Sequence, residues 1–311
     1  MNVPGFVAVT DLAWIATLSA VPDLDEVNFW RPTDAPVRSI SGTPWFFKAK
    51  SPINAIVGGG FFAHYSTMPI QLAWEAFGIK NGVRDFESFK STITRLRRTT
   101  TFGDVRSPSS IGCVVLSQPY FFAPEEYVSV PQDFAQQIVS GKGYDLTVGY
   151  GRALWDAVQL RLAARRPQPS SPASQISLAL GTPHLVTPRL GQGGFRLSVL
   201  DAYGRRCAVT GERTLPALEA AHIVPFAAVQ RHEIGNGVAL RSDIHRLFDS
   251  GYVTIDTEHR FRVSRAIRDE FENGRDYYAL HESVVRLPTD AANQPDLESL
   301  DWHASRVYLG D

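Results

Sequence analysis

The sequence contains little sulfur, since its 311 residues include two cysteines and two methionines. Cys113 and Cys207 lie far apart and neither belongs to a CxxC pair, which argues against a disulfide framework and a paired-cysteine zinc knuckle. One disulfide between them is arithmetically allowed. We expect two reduced thiols instead, with Cys207 as a small buried apolar side chain and no structural zinc.

Long hydrophobic runs and an excess of one charge are also missing. No apolar run approaches the roughly 18 residues that a membrane span needs. No Lys or Arg precedes Arg31, whereas a secretory signal peptide begins with positive charge, so we expect a cytoplasmic protein. The net charge of −1 gives no overall basic signature of nucleic-acid binding, although local basic patches can still provide it.

The chain length suits about two domains, and a content of 44% hydrophobic and 20% charged residues is ordinary for a globular protein. Proline, serine and glutamine concentrate in AARRPQPSSPASQ (163–175), directly after a helical pattern in YGRALWDAVQLRLAARR. We therefore predict a first domain at 1–164, a linker at 165–175 and a second domain at 176–311.

The first domain mixes strand and short-helix patterns. The sequence predicts two strands around a turn in TPWFFKAKSPINAIVGGGFFAHYS and a buried strand in IGCVVLSQPYFF. Helices are predicted in PIQLAWEAFG and DFESFKSTITRLRR. This mixture favours a small curved sheet or barrel with helices over a doubly wound fold, so the predicted class is α+β.

The second domain is predicted to begin with a helix in FRLSVLDAYGRR and to contain a hairpin in YVTIDTEHRFRVS. Between them, LEAAHIVPF (218–226) has the apolar pattern of a short strand but carries Glu219 and His222. Asn236 follows His222 by 14 residues, in the turn IGNGVAL, and His245 follows Asn236 by nine. A lone histidine in such a strand is usually a hydrogen-bonded core residue, but three such residues at these two spacings favour catalysis.

His245 lies in RSDIHRLFDSG, which predicts a short helix. Ser242 and Asp243 are both good N-cap residues, and Gly251 is a typical helix end. Because His245 and Asp249 are four residues apart, they share one face of this helix. Four other histidines are expected to be surface or local structural residues: His232, His259, His281 and His303.

This strand, loop and helix resemble the ββα-metal unit of the HNH nuclease family, which carries His, Asn and His in this order. The text CAVTGERTLPALEAAHIVPF…NGVALRSDIHRLFDSGYVTID is similar to the subfamily of predicted bacterial restriction endonucleases, and the resemblance covers 196–257. It implies phosphodiester hydrolysis. It also implies that His222 is the general base, that Asn236 holds the loop through its side chain, and that His245 is a metal ligand.

The resemblance implies one divalent metal ion in the site. Asp249, one helical turn after His245, is the expected second ligand. Many family members have an acidic residue or His directly before the base, but this chain has Ala221 there. Glu219 lies two residues earlier, on the same expected strand face, and could reach the metal directly or through water. Imidazole and carboxylate ligands suit Mg²⁺, Mn²⁺, Ni²⁺ or Zn²⁺ without selecting among them.

A nuclease must also bind phosphates, and arginine clusters are the candidates. The cluster expected to bind DNA directly precedes the predicted active-site strand and consists of Arg189, Arg196, Arg205 and Arg206. A later group at 260–268, in HRFRVSR and beyond, fits a solvated charged face equally well.

The first domain could supply target recognition. Its segment PWFFKAKSPINAIVGGGFFAHYSTMPIQLAWEAFG is similar in strand order and aromatic placement to the PUA-like superfamily, which includes the EVE, ASCH and SRA groups. This resemblance implies a pocket that holds a flipped modified base by stacking and by hydrogen bonds to its edge. The candidate pocket residues are Trp30, Trp45, Tyr65 and Asp34, although aromatic residues at this density usually form a core.

The predicted function is metal-dependent cleavage of double-stranded DNA, dependent on a modified cytosine, in defence against phage or foreign DNA. Since two strands must be cut, we expect a homodimer. Two alternatives stay open. One is an HNH nuclease without modification dependence, of the homing, toxin or repair type. The other is a catalytically silent DNA-binding protein, which the alanine at position 221 favours.

Overall fold

The computed structural model describes residues 2–99, 109–165 and 182–310. These residues fall into two units, Met1–Arg189 and Leu190–Asp311. The border lies later in the chain than the linker composition indicates. Residues 182–189 stay with the first unit because Val186 N donates to Gly42 O and His184 packs edge-on against Trp155. Apart from Arg165, the predicted linker lies outside the described residues.

A mixed sheet organises the first unit. Its elements are β1 (Pro4–Thr10), α1 (Leu12–Ser19), β2 (Glu26–Asn28), β3 (Pro44–Ala49), β4 (Ala55–Pro69), α2 (Ile70–Phe77), α3 (Phe86–Thr99), β5 (Ser110–Phe121), β6 (Val128–Ser129), β7 (Gly141–Asp145) and α4 (Gly149–Ala164). The strand order is β2-β5-β4-β3-β1-β7, with β6 on β4. Only the β1–β3 pair is parallel among the described strands.

The long strands β4 and β5 give this sheet its curvature. Their pairing shifts register twice, between Gly59 and Phe61 and between Phe62 and His64, and such bulges bend a strand. Aromatic and β-branched side chains cover both faces, so one core forms around Trp14, Phe47 and Phe62 and another around Phe46 and Trp155. Within the described residues the sheet is open and not closed into a barrel. The predicted α+β class and the quoted strands and helices are confirmed.

The second unit contains α5 (Gln192–Ala202), β8 (Leu218–His222), α6 (Phe226–Val229), β9 (Gly237–Arg241), α7 (Ser242–Asp249), β10 (Val253–Ile255), β11 (Phe261–Val263), α8 (Ala266–Phe271), α9 (Arg275–Tyr278) and α10 (Leu297–Arg306). Strands β8 and β9 pair with each other, as do β10 and β11. The predicted first helix, strand–loop–strand–helix order and hairpin are confirmed. One core, which includes Phe195, Val238, Phe248 and Leu300, joins these elements.

Helix α7 ends as predicted but begins differently. Gly251 adopts φ +77° just after the helix, and a Cβ there would lie 2.1 Å from Val307 O. At the other end, Arg241 occupies the N-cap position and its side chain makes no capping hydrogen bond. The prediction of Ser242 or Asp243 as the cap is wrong, because the Asp243 carboxylate is held by the Arg241 guanidinium at 2.6 Å.

Helix α10 is tied to α7 by a buried histidine. His303 is 2% exposed and stacks on Phe248, with ring centroids 3.7 Å apart. Its Nε2 donates to Phe248 O at 3.0 Å, and its Nδ1 accepts from Thr254 Oγ1 at 2.8 Å. Burial lowers the pKa of His303 to about 4, so the ring is neutral at pH 7. The expectation of a surface or merely local role is therefore wrong for His303.

Among the described residues, none of the helices has both the length and the apolar composition needed to cross a bilayer.

Acid should destabilise the second unit through His303. The unfolded ring has a pKa near 6.5 and the folded ring near 4, so below about pH 6.5 the unfolded state binds the extra proton first. The free energy of unfolding should therefore fall between about pH 6.5 and 4, by up to about 3 kcal/mol from this group. Urea unfolding of the full chain across this range measures it. His303→Gln should flatten the pH profile, and parallel profiles for both proteins would contradict the assignment.

Candidate active site

The hairpin of β8 and β9 places His222 opposite Gly237. The loop between the strands is closed by Asn236, which is 5% exposed. Its amide nitrogen donates to Val224 O and its amide oxygen accepts from Val224 N, both at 2.8 Å. Glycine is needed next in the chain, because a Cβ at Gly237 would lie 2.5 Å from Val199 Cγ2. The Asn-Gly pair thus fixes the chain that follows His222.

The His222 ring lies between a phenyl ring and a second histidine. It stacks on Phe195 of α5, with centroids 4.0 Å apart and planes inclined by 10°. Its Nε2 lies 3.0 Å from Nδ1 of His232. Burial, together with the nearby His232 and His245, lowers the pKa of His222 to about 4. The ring is therefore neutral at pH 7 and able to accept a proton.

His232 is the residue at this site that sequence reasoning missed. It lies ten positions after His222 in a loop of irregular structure, where no periodicity relates sequence distance to spatial distance. Its approach to His222 depends on the path of that loop, which Asn236 and the short helix α6 set. The only sequence signal is an aromatic residue, Phe226, ahead of it, and the two rings stack with centroids 4.3 Å apart.

His245 projects from α7 between two carboxylates. Its Nδ1 lies 2.6 Å from Glu219 Oε2 on β8, and its Nε2 lies 3.3 Å from Asp249 Oδ2 on the same helix. Burial lowers the pKa of His245, but the hydrogen bonds and charges of Asp249 and Glu219 outweigh this effect and raise it. Ala221, by contrast, packs in the core at 0% exposure, so β8 does not present positions 219 and 221 to the same environment.

These side chains fit a divalent metal ion. Two donors that each bind one ion at about 2.1 Å lie roughly 3 Å apart, and the His245 Nε2 to Asp249 Oδ2 separation is 3.3 Å. A carboxylate on the other ring nitrogen, as Glu219 provides, is the usual outer partner of a metal-binding histidine. Among the described residues no three His, Cys, Asp or Glu side chains are grouped to hold an ion, so the His245–Asp249 pair does not by itself complete a coordination shell.

His222, His245 and Asp249 line one cleft of about 520 Å³. Its other lining residues are Gln192, Phe195, Arg196, Glu219, Ala220, Ile223, Pro225, Phe226, His303 and Val307. The cleft therefore combines a neutral imidazole, an imidazole–carboxylate pair and one arginine on its walls. That combination can accept a proton from water, hold a cation and bind an anionic group.

Of the four arginines predicted to bind DNA, Arg196 lines the cleft. Its Nη2 donates to Leu218 O at 3.4 Å, while its buried Nε has no hydrogen-bond partner within the described residues. Arg205 pairs with Asp201 at 2.9 Å. Arg206 is half-buried in the second unit, and Arg189 is exposed at the end of the first. In the later cluster, Arg262 is held by Asp256 and Glu282.

The predicted base-pocket residues occupy different surroundings in the first unit. Trp45 is 3% exposed and packs against Phe6 and Phe62, as a core residue does. Trp30 is half-buried; its Nε1 donates to Asn81 O at 2.9 Å, and its ring meets Phe89 edge-on.

Tyr65 and Asp34 lie close together. The Tyr65 hydroxyl donates to Ala35 O at 2.9 Å. Burial raises the pKa of Tyr65, and the charges of Arg31 and Asp34 then act on it in opposite directions. The Asp34 charge also interacts with Arg97, whose Nε donates to Pro32 O at 2.7 Å. The structure thus brings two of the four residues together, beside Arg31 and Arg97.

Residues 207–256 match the HNH endonuclease family. Among solved structures, the chain is similar to ASCH from Zymomonas mobilis, with 14% identity, a TM-score of 0.32, and coverage of 52% of this chain and 96% of that one. It is also similar to a modification-dependent restriction endonuclease, TagI, with 12% identity, a TM-score of 0.29, and coverage of 96% and 81%. No curated protein matches the chain. The family match shows that the second unit contains an HNH endonuclease domain, in agreement with the predicted motif.

Replacing Asn236 should loosen the loop. Asn236→Ala leaves Val224 N and O buried without partners, which should cost about 2–5 kcal/mol of unfolding free energy. Asn293, whose amide makes a weak 3.4 Å contact with Asp290, offers a matched control, and Asn293→Ala should change stability by less than about 0.5 kcal/mol. Chemical denaturation of the full-length variants compares them. Equal stabilities would show that the Asn236 amide does not hold the loop.

Proposed function

We propose that this HNH endonuclease cleaves DNA with one divalent metal ion and acts where its first unit binds a modified cytosine. The observation that carries the cleavage proposal is the single cleft lined by His222, Arg196 and the His245–Asp249 pair. Each group has a chemical property that phosphodiester hydrolysis requires. The base must be unprotonated, the anionic phosphate needs cations, and both must face the same substrate.

His222 is assigned the role of general base. Its ring is neutral at pH 7, and Phe195 holds its plane by stacking at 4.0 Å. In the reaction a water oxygen attacks phosphorus, the water proton passes to His222, and the bond from phosphorus to the leaving oxygen breaks. The leaving oxygen then takes a proton from solvent, so charge and atoms balance. Asn236 contributes by holding the chain after the base in place.

His245 and Asp249 are assigned to hold the metal ion, with Glu219 orienting His245 through Nδ1. A bound divalent ion supplies stabilisation of the negative charge that develops on the phosphate. Mg²⁺, Mn²⁺, Ni²⁺ and Zn²⁺ all suit the donor types. Arg196 is assigned to bind a phosphate oxygen of the DNA, and its position on the wall of the same cleft supports this role.

The first unit is assigned to target recognition. Two features support this part of the proposal. Tyr65 and Asp34 lie together beside Arg31 and Arg97, which combines an aromatic face with hydrogen-bonding groups. In addition, an open cleft of about 450 Å³ runs along α3. Its lining includes three exposed basic side chains, Lys90, Arg95 and Arg98. A basic helix face of this kind suits contact with a DNA backbone.

Three further parts of the proposal concern the setting of the reaction. Cutting both strands requires two active sites, so we propose a homodimer or dimerisation on DNA. The location is proposed to be the cytoplasm, where invading DNA would meet the enzyme. The role is defence against phage or other modified foreign DNA.

Metal binding should separate the roles of the two carboxylates. Asp249→Asn removes a ligand and should abolish measurable Mn²⁺ binding, whereas Glu219→Gln should weaken it by about 10- to 100-fold through loss of His245 orientation. Isothermal titration of the full-length protein measures both. Glu258→Gln, which alters an exposed acid outside the cleft, should bind like the wild type. Equal losses at positions 219 and 249 would instead make Glu219 a direct ligand.

Cleavage should require the base and the modification. We expect one DNA, prepared with cytosine, 5-methylcytosine or 5-hydroxymethylcytosine, to be cut with Mg²⁺, Mn²⁺ or Ni²⁺ only in a modified form. His222→Ala should lower the rate by about 100- to 10,000-fold, because the water loses its proton acceptor. Gel analysis of the products measures this. Equal cutting of all three DNAs would remove the recognition role, and absence of cutting in any form would favour a silent DNA-binding protein.

A further inference from the structure

The His222 ring belongs to an arrangement of four aromatic rings. Phe195 stacks on His222 with centroids 4.0 Å apart, and Phe226 stacks on His232 with centroids 4.3 Å apart. The two imidazoles join the stacks through the 3.0 Å contact between His222 Nε2 and His232 Nδ1. Because each imidazole lies against a phenyl ring, neither can turn freely. The nitrogen-to-nitrogen contact is therefore a fixed feature of this ring arrangement.

The segment that carries His232 is itself anchored on both sides. The residue forms an isolated antiparallel bridge with Leu190 at the start of the second unit. The short 3₁₀ turn Ile234–Asn236 follows directly, and Asn236 is locked onto Val224. The backbone on both sides of His232 is therefore fixed by hydrogen bonds, which fixes the position of His232 beside His222.

We propose that His232 is a positioning residue for His222, accepting a hydrogen bond at Nδ1 from His222 Nε2–H and so keeping the base lone pair on His222 Nδ1. This inference rests on the proposed role of His222 in DNA cleavage. It assigns His232 a function that the motif spacing does not indicate.

The direction of the hydrogen bond decides whether His222 can act. A neutral imidazole carries one N–H and one lone pair. If His222 donates from Nε2, its lone pair is on Nδ1, where no hydrogen bond occupies it within the described residues. If His232 donated instead, the His222 lone pair would be used at Nε2, and the proton would sit on Nδ1. Only the first arrangement leaves a proton acceptor for the attacking water.

The same hydrogen bond strengthens as the reaction proceeds. When His222 takes the water proton at Nδ1, the ring becomes a cation and its Nε2–H a charged donor. Charge-assisted hydrogen bonds are roughly twice as strong as neutral ones. A neutral His232 that accepts this bond therefore stabilises the protonated base more than the neutral base, whereas a charged His232 would lower the pKa of His222. Stronger interaction with the protonated base is the requirement for an effect on the chemical step. Substrate binding should depend little on it.

Two substitutions separate the hydrogen bond from the packing. His232→Asn keeps an acceptor close to the position of Nδ1 but loses the stack on Phe226, whereas His232→Phe keeps the stack and loses the acceptor. With modified DNA and Mn²⁺, His232→Phe should lower kcat by about 10- to 100-fold at nearly unchanged KM, as expected for loss of an outer partner. His232→Asn should recover most of that loss. Glu233→Gln, next to it and exposed, is the control and should behave like the wild type.

A second measurement is independent of cleavage. In full-length protein labelled with ¹⁵N-histidine, the proposal expects His222 to carry its proton on Nε2, with a scalar coupling across the hydrogen bond to His232 Nδ1. The His222→Gln spectrum assigns the signals. If the wild type cuts no DNA, the proposed function fails, yet this spectrum still tests the pairing. A His222 proton on Nδ1, an absent coupling, or a His232→Phe variant more active than His232→Asn would overturn the proposal.

Discussion

Two hydrogen bonds between the side chain of Asn236 and the backbone of Val224 hold the active-site loop closed. They satisfy a buried N–H and C=O that the irregular chain after β8 would otherwise leave unpaired. Closing the loop at this point brings Gly237 against α5 and sets the start of β9. Strand β9 runs directly into α7, so the position of His245 follows from the same pair of bonds. The relative positions of β8, β9 and α7 around the cleft thus rest in part on this one amide.

The two histidines of the motif have opposite electrostatic environments. His222 lies against Phe195 and near other imidazoles, so its neutral form is favoured. His245 is also partly buried, but Glu219 and Asp249 favour its charged form. A proton and a metal ion therefore compete for His245, whereas the neutral ring of His222 can accept a proton. The proposed division of roles comes from neighbouring side chains, because the two residues are chemically identical.

The features that could be predicted from the sequence are those that follow from the regular backbone geometry of single helices and hairpins. The spacing of His222, Asn236 and His245, and the helical offset of Asp249, reflect a hairpin and a helix whose geometry is regular. His232 could not be predicted because its neighbour depends on a loop path. Glu219 and Ala221 are two residues apart on an unbroken strand, yet Ala221 is buried in the core whereas Glu219 lines the cleft, and sequence alone does not show that difference. In the first unit, aromatic residues such as Trp45 serve packing, and sequence alone does not distinguish a core ring from a pocket wall.

The walls of the cleft come from both ends of the second unit. Phe195 and Arg196 belong to its first helix, and His303 and Val307 lie at or just after its last, while the family match covers only 207–256. The segment that matches the family is therefore shorter than the part of the chain that forms the cleft. A gene fragment that encodes only residues 207–256 would match the family, yet it would lack Phe195, on which His222 stacks, and the cleft residues Arg196, His303 and Val307.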